Sequence, residues 1–98
     1  MKEIIIYDEA ELELWHIIDY YEDKVAGLGL EFEKEVKKAL ILIEENPSLF
    51  SKTKFGVRGY SFKRFPYLLY YYEYEKCIWV LAFAHTSRKP FYWKSRIQ

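Results

Sequence analysis

The last quarter of the chain carries the residues best suited to chemistry. His85, Arg88, Lys89 and Tyr92 lie close together, directly after an apolar and aromatic run at Trp79–Ala84. Such a run is typical of a buried central strand. A rigid strand that ends in a polar turn would deliver an imidazole, two cations and a phenol to one place, and loops on a scaffold often carry function.

Cleavage of RNA by transesterification is one reaction that these groups could support. It needs a base for the 2′-hydroxyl, cations for the phosphorane charge and an acid for the leaving oxygen. Arg64 and Arg88 suit the charge, and Tyr92 or His85 suits the proton transfers. A phenol with an ordinary pKa of about 10 is only ~0.1% ionised at pH 7, so Tyr92 would need neighbouring cations. Both proton-transfer candidates also fit structural roles, His85 as a hydrogen-bonded strand end and Tyr92 within an aromatic cluster.

A wider set of basic residues alternates with tyrosines through the second half of the chain. Guanidinium groups pair with phosphates, and aromatic rings stack on unpaired bases. This pattern predicts a surface for nucleic acid or another anionic target, while the alternative is a solvated strand surface. Besides Arg64 and Arg88, the candidate binding residues are Arg58, Lys63, Lys89, Lys94 and Arg96.

Charge is divided unevenly along the 98 residues, although the net charge is zero. Residues 1–49 hold thirteen acidic and five basic residues, a balance of −8, and residues 50–98 hold two acidic and ten basic residues, a balance of +8. One interpretation is that helices simply favour Glu. The other is that the second half presents a cationic face to an anionic partner.

Several classes of protein are excluded by the composition. Cys77 is the only cysteine, so there is neither a disulfide framework nor a zinc motif, and His16 lacks a second ligand at helical spacing. No glycine-rich phosphate loop is present. No apolar run reaches the ~18 residues of a membrane helix. Acidic residues interrupt the apolar residues near the N-terminus, so the pattern of a signal peptide is not expected there. We therefore expect a cytoplasmic protein without a metal or a cofactor.

Periodicity predicts six elements in the order β-α-α-β-β-β within a single domain, residues 1–98. The fold class would be α+β, with a helical hairpin packed on one face of a curved antiparallel sheet and a possible short turn or helix at the C-terminus. The other face would be open and would carry aromatic and cationic side chains. The predicted elements are a strand at 4–7, helices at about 9–26 and 30–45, and strands at 57–64, 68–74 and 77–84.

Motifs in this order make the chain similar to the RelE/ParE superfamily of toxins from bacterial type II toxin–antitoxin systems. The similarity covers nearly the whole chain. It is carried by Asp19-Tyr20-Tyr21, Glu31-Phe32, Asn46-Pro47, Val57-Arg58, Lys63-Arg64-Phe65-Pro66-Tyr67, Tyr70-Tyr71, and by His85 followed by Arg88, Pro90, Tyr92-Trp93 and Arg96.

The resemblance implies a toxin that arrests growth and is neutralised by a cognate antitoxin covering its active face. One branch of the superfamily cleaves ribosome-bound mRNA without a metal, and its catalytic positions match Arg64, Arg88 and Tyr92. The ParE-like, plasmid-stabilisation branch inhibits DNA gyrase. Phe65-Pro66-Tyr67, the pattern from His85 to Trp93 and the neutral net charge favour the gyrase branch, with a cationic C-terminal surface as the binding site. The mRNA endonuclease remains the alternative.

Overall fold

The strands of this protein form one four-stranded sheet, and two helices pack on one of its faces. The computed structural model describes residues 1–97. The predicted order of elements and the α+β class are confirmed, and a short 3₁₀ turn follows near the C-terminus. The elements are β1 (Glu3–Ile6), α1 (Asp8–Lys24), α2 (Leu28–Glu45), β2 (Arg58–Ser61), β3 (Tyr67–Glu73) and β4 (Cys77–His85), with 3₁₀ turns at Lys54–Gly56 and Lys94–Arg96.

The second helix is defined by an apolar stripe at helical spacing. Phe32, Val36, Ala39 and Ile43 are all buried and pack in the core between the helices and the sheet. The helix ends at Glu45, shortly before Pro47, as expected for a residue that disfavours helical geometry before it. Neither described helix combines the length and the apolar character needed to cross a membrane.

The turn between the helices is tighter than the sequence predicted. Val25 has extended backbone and ends α1, and Gly27 alone reverses the chain with a φ of 88°. Leu28 and Gly29 are therefore already helical. The carboxylate of Glu22 accepts hydrogen bonds from the backbone N–H groups of Gly27 (2.7 Å) and Gly29 (3.0 Å), so α1 supplies the cap that α2 lacks from its own side chains.

The sheet has the order β1-β4-β3-β2, with β3 antiparallel to both of its neighbours. The antiparallel arrangement predicted for the sheet holds for these three strands. The first strand differs, because β1 pairs in parallel with β4. Parallel neighbours require a long crossover, and here the whole chain between the two strands provides it.

A β-bulge interrupts the ladder between β3 and β4. Tyr70 pairs with Ala82 and Tyr71 pairs with Val80, so Leu81 has no partner on β3. A bulge leaves its extra residue unpaired and bends the strand. In addition, β1 pairs only as far as Val80, so the side of β4 beyond that residue has no neighbouring strand.

The face of the sheet away from the helices is partly covered rather than open. A second core forms there from Val57, Leu81, Ala82 and Trp93, with tyrosines at its margin. Trp93 is 2% exposed and its ring lies 5.1 Å from that of Tyr70. The C-terminal segment therefore folds back onto the sheet, because the large apolar ring of Trp93 is buried against this face. The face predicted to be open is thus partly covered by the chain itself.

Gly29 should be required for the close packing of α1 on α2. A Cβ atom at this position would fall well inside contact distance of the backbone carbonyl oxygen of Ile18. Although Ala is the better helix former by about 1 kcal/mol, we expect Gly29→Ala to lower the free energy of unfolding by about 2 kcal/mol.

Urea unfolding followed by circular dichroism measures this change. Gly27→Ala is the matched control, because a Cβ there meets nothing and only its left-handed backbone is strained, at a cost of about 1 kcal/mol. A Gly29→Ala variant as stable as the unsubstituted protein would show that the helices do not depend on this contact.

Candidate functional site

A cleft of about 220 Å³ lies between α1 and the end of β4. The sequence predicted the candidate catalytic residues at this end of the strand. Of the predicted catalytic residues, His85 and Arg88 line it, and Tyr92 stacks against Arg88 beside it. The lining residues are Glu13, His16, Ile17, Tyr67, Phe83, His85 and Arg88.

Glu13 of α1 accepts hydrogen bonds from three other residues of this site. Its Oε1 accepts hydrogen bonds from the backbone N–H of Phe83 (3.1 Å) and from Arg96 (3.0 Å), and its Oε2 accepts from the phenol of Tyr92 (2.8 Å) and from Arg96 (3.2 Å). Arg96 also donates to the carbonyl oxygen of Leu81 at 2.9 Å. One carboxylate thus joins the first helix, the last strand and the C-terminal segment.

This arrangement follows from the end of β1 and the bulge in β4. On the edge of β4 that faces away from β3, the backbone N–H of Phe83 and the backbone carbonyl of Leu81 have no neighbouring strand. Buried backbone groups must be hydrogen bonded. Glu13 accepts from the free N–H and Arg96 donates to the free carbonyl, and the two side chains neutralise each other.

Arg96 is therefore a structural cation in this protein. It is 8% exposed and pairs with Glu13 (3.0 Å) and Glu9 (3.2 Å). Burial alone would lower the pKa of Arg96, but the hydrogen bond and the charges of these carboxylates outweigh that effect and raise it. Its guanidinium faces the protein interior.

Tyr92 is held as a hydrogen-bond donor. Burial, followed by the hydrogen bond to Glu13 and the charge of that carboxylate, raises the pKa of Tyr92 above its ordinary value, although Arg96 and Arg88 oppose the shift. The guanidinium of Arg88 lies 3.9 Å from the centre of the Tyr92 ring, and that of Arg96 lies 5.1 Å away. At neutral pH the phenol is protonated, so it can donate a proton or a hydrogen bond but is a poor base.

His85 is exposed at the end of β4 and is anchored by Ser87. Its Nδ1 accepts the backbone N–H of Ser87 at 3.0 Å and lies 2.7 Å from the hydroxyl oxygen of the same residue. Its ring meets Tyr67 edge to face at 5.1 Å. In the neutral ring the proton is then on Nε2, which leaves a donor at the cleft.

Arg64 is not brought to this cleft. Its guanidinium bonds Glu31 of α2 at 3.0 Å and lies 5.4 Å from the ring of Phe65, and both charged partners are about half exposed. The sequence predicted one site formed by Arg64, Arg88 and Tyr92. In the structure Arg88 and Tyr92 lie together beside the cleft, whereas Arg64 lies against α2.

The remaining predicted cations have distinct settings. Arg58 donates to the carbonyl oxygens of Ser48 (3.2 Å) and Phe50 (2.8 Å), which ties the loop after α2 to the sheet. Lys63 and Lys89 are exposed, and Lys94 is exposed with its ammonium group over an aromatic ring. The free positive charge therefore comes mainly from Arg88 and from lysines.

Glu13 is the residue of the candidate site that the sequence did not predict. It lies three residues after Ala10 and four before Ile17, the two buried residues of α1. A carboxylate on the buried stripe of a helix needs a partner, and this position was the available signal. Among residues 1–97, no group of three or more His, Cys, Asp or Glu is placed to hold a metal ion.

Comparison with known proteins found a matching family model and similar solved structures. The family model described as the ParE toxin of the type II toxin–antitoxin system parDE matches residues 4–90. A solved chain titled "Chromosomal ParDE TA system from P. aeruginosa" has a TM-score of 0.76 and 17% identity, over 87% of this chain and 96% of that chain. At this identity the likeness shows the fold alone. No curated protein matches the sequence.

Arg96→Met should be strongly destabilising, because it leaves the carboxylate of Glu13 without its cation and the carbonyl of Leu81 without its donor. Breaking a buried pair costs about 3–5 kcal/mol. The matched control is Arg64→Met, which removes an exposed pair worth about 0–1 kcal/mol. Chemical unfolding of both variants measures the difference, and equal losses would contradict the role given to Arg96.

Tyr92 should also make stability depend on alkaline pH. Because folding raises its pKa, its contribution is complete below pH 10 and is lost as the pH rises through the folded pKa. The native state then holds a proton that the unfolded state has lost, which reduces the free energy of unfolding by at most about 1.4 kcal/mol per pH unit.

Urea unfolding of Tyr92→Phe from pH 8 to pH 12 tests this linkage. The variant should be the less stable protein at pH 8, and the gap should narrow above pH 10. Tyr71, whose pKa burial raises to about 12, is unchanged in both proteins and contributes equally to each. Parallel stability curves for the two proteins would refute the linkage.

Proposed function

The chain belongs to the ParE toxin family of type II toxin–antitoxin systems, and from this premise we propose that it arrests growth by binding and inhibiting DNA gyrase. The proposed contact is the cationic C-terminal surface, which we define as Arg88, Lys89 and Lys94 together with Lys54. Membership of the family makes a cognate antitoxin the first partner of the chain. Gyrase is the second.

The observation that carries this proposal is the unpaired charge of that surface. Arg88, Lys89, Lys94 and Lys54 are all exposed, and the salt bridges within residues 1–97 involve none of them. Exposed cations that pack on aromatic rings but have no carboxylate partner keep their charge available, and they suit electrostatic steering and recognition of an anionic surface. The first half of the chain, with its balance of −8, provides the opposite charge on the helices.

Two features support binding rather than RNA cleavage. Tyr92 is hydrogen bonded to Glu13, and burial together with this bond raises the pKa of the phenol, which makes it a poor base. Arg64 is paired with Glu31 and does not line the cleft. A metal-independent endonuclease would need these groups to act together on one phosphate. The mRNA endonuclease is thus the less favoured alternative.

We propose further that the cognate antitoxin covers the cationic C-terminal surface. An acidic segment would neutralise the exposed cations and would compete with the target for them. Because a ligand that binds only the folded state raises its stability by mass action, such a complex would also be more stable than the free toxin.

Charge reversal on this surface tests the proposal. In a supercoiling assay with purified gyrase, the unsubstituted toxin should inhibit at micromolar concentration, and Arg88→Glu/Lys89→Glu should need at least about tenfold more protein, because its charges now repel the target. The matched control is Lys34→Glu/Lys37→Glu, which makes the same change of charge at exposed positions of α2 and should inhibit like the unsubstituted toxin.

A second assay decides between the two targets. Ribosomes translating a defined mRNA are incubated with toxin, and cleavage is mapped by primer extension. Gyrase that is unaffected by micromolar toxin would overturn the proposed target. Cleavage of mRNA that is lost in Tyr92→Phe and Arg88→Ala would establish the endonuclease instead.

A further inference from the structure

Two phenylalanines next to the cationic C-terminal surface have an unusual backbone. Phe55 has a φ of 65° and Phe91 has a φ of 61°, and within residues 1–97 they are the non-glycine residues with positive φ. This left-handed conformation is unfavourable for a residue with a Cβ atom, most of all for a bulky one. Both side chains are nevertheless exposed, by 45% and 37%.

The two rings form one compact unit. They meet edge to face, with centres 5.6 Å apart and planes at 87°. The ammonium of Lys54 lies 5.8 Å from the centre of the Phe91 ring, and that of Lys94 lies 4.6 Å from the centre of the Phe55 ring. We call these four residues the aromatic tip. It joins the turn before β2 to the segment after β4.

The backbone and the neighbouring rings hold the aromatic tip in place. The backbone N–H and the hydroxyl of Thr53 both donate to the carbonyl oxygen of Val57, which closes the turn that carries Phe55. Gly56 follows with a φ of 77°, and a Cβ atom there would lie 3.3 Å from the ring of Tyr72. On the other side, Phe91 packs edge to face on the buried ring of Trp93 at 5.7 Å.

Burial does not account for this strained arrangement. A strained residue persists only where its surroundings impose it, and such residues cluster at sites of recognition and catalysis. An exposed aromatic pair fixed in place has little conformational entropy to lose on binding, and aromatic anchors dominate the energy of protein interfaces. The backbone strain and the exposure are therefore both explained if the rings are buried in a complex.

We propose that the aromatic tip is the apolar anchor with which the toxin engages its target protein, and that it inserts into an apolar recess rimmed by carboxylates. The inference rests on the proposed function, because it assigns the centre of the gyrase contact within the cationic C-terminal surface. Charge complementarity defines the rim, since Lys54 and Lys94 flank the rings and would meet anionic groups beside the recess.

The geometry favours a protein recess over nucleic acid. A base stacks on the free face of an aromatic ring. Here each ring has an ammonium group near its face, and the edge of one ring abuts the face of the other. The two residues are still 45% and 37% exposed, and with ammonium groups near their faces the rings suit insertion into a recess better than stacking on bases.

Replacement by glycine tests the anchor without adding strain. Phe55→Gly and Phe91→Gly remove the rings and keep residues that adopt a positive φ readily. The dissociation constant (Kd) of the complex with purified gyrase should rise by about 30-fold for each variant and by at least 100-fold for the pair, because the interface loses its apolar anchor. Trp15→Ala is the control, because it removes another exposed aromatic side chain, 48% accessible on α1, and should bind within about threefold of the unsubstituted toxin.

Folding of the variants is checked by thermal unfolding. Where a glycine variant does not fold, Phe55→Asn and Phe91→Asn replace it, since Asn tolerates the left-handed region. Tight binding of unsubstituted toxin together with equally tight binding of the ring-deleted variants would overturn the anchor and leave the proposed function standing. Failure of the unsubstituted toxin to bind gyrase would overturn both.

Binding to a fluorescently labelled single-stranded DNA oligonucleotide, measured by fluorescence anisotropy, tests whether the rings stack on bases instead. The ring-deleted variants should bind it as the unsubstituted toxin does. If they lose affinity for the oligonucleotide by tenfold or more while their affinity for gyrase is unchanged, the tip is a stacking platform for nucleic acid and the proposal is wrong.

Discussion

The pair formed by Glu13 and Arg96 is the interaction on which the end of β4 and the C-terminal segment depend. It lies where β1 has ended and β4 bulges at Leu81, so that a backbone N–H and a backbone carbonyl face no strand. The two side chains satisfy both groups and each other. An uncompensated charge or an unpaired backbone group at this depth would cost several kcal/mol. The pair therefore acts as a substitute for the missing part of the edge strand.

The surface offered to a partner follows from this constraint. Because Arg96 is anchored beside α1, the segment from Phe91 to Arg96 must lie against the sheet, and Trp93 covers its second face. Tyr92 is drawn to Glu13, and its ring in turn supports the guanidinium of Arg88. Phe91 is left at the outside, where it meets Phe55. The cations from Arg88 to Arg96 are close together in the sequence, but in the structure Arg96 is buried whereas Arg88, Lys89 and Lys94 are exposed.

Local patterns predicted what depends on local forces. The stripe of α2 and the turn at Gly27 are set by periodicity and by backbone freedom, and both are found in the structure. The parallel pairing of β1, the bulge at Leu81 and the partner of Glu13 depend on contacts between residues far apart in the chain, which no window of sequence records. The sequence therefore placed the candidate site at the end of β4, where the structure has a cleft, but it missed Glu13 and assigned Arg64 to the site.

The distribution of cation types bears on what the site can do. Arg58 binds backbone carbonyls, Arg64 pairs with Glu31 and Arg96 is buried, so three guanidinium groups are engaged within the protein. A guanidinium is the better structural cation because its five donors have fixed directions, whereas an ammonium is a mobile point charge. Among residues 1–97, the exposed cations outside any salt bridge to a carboxylate include Arg88 and several lysines. Exposed ammonium groups suit long-range attraction of an acidic surface but do not fix one phosphate in a single geometry, so the chemistry of these cations agrees with the proposed recognition of a target more closely than with catalysis.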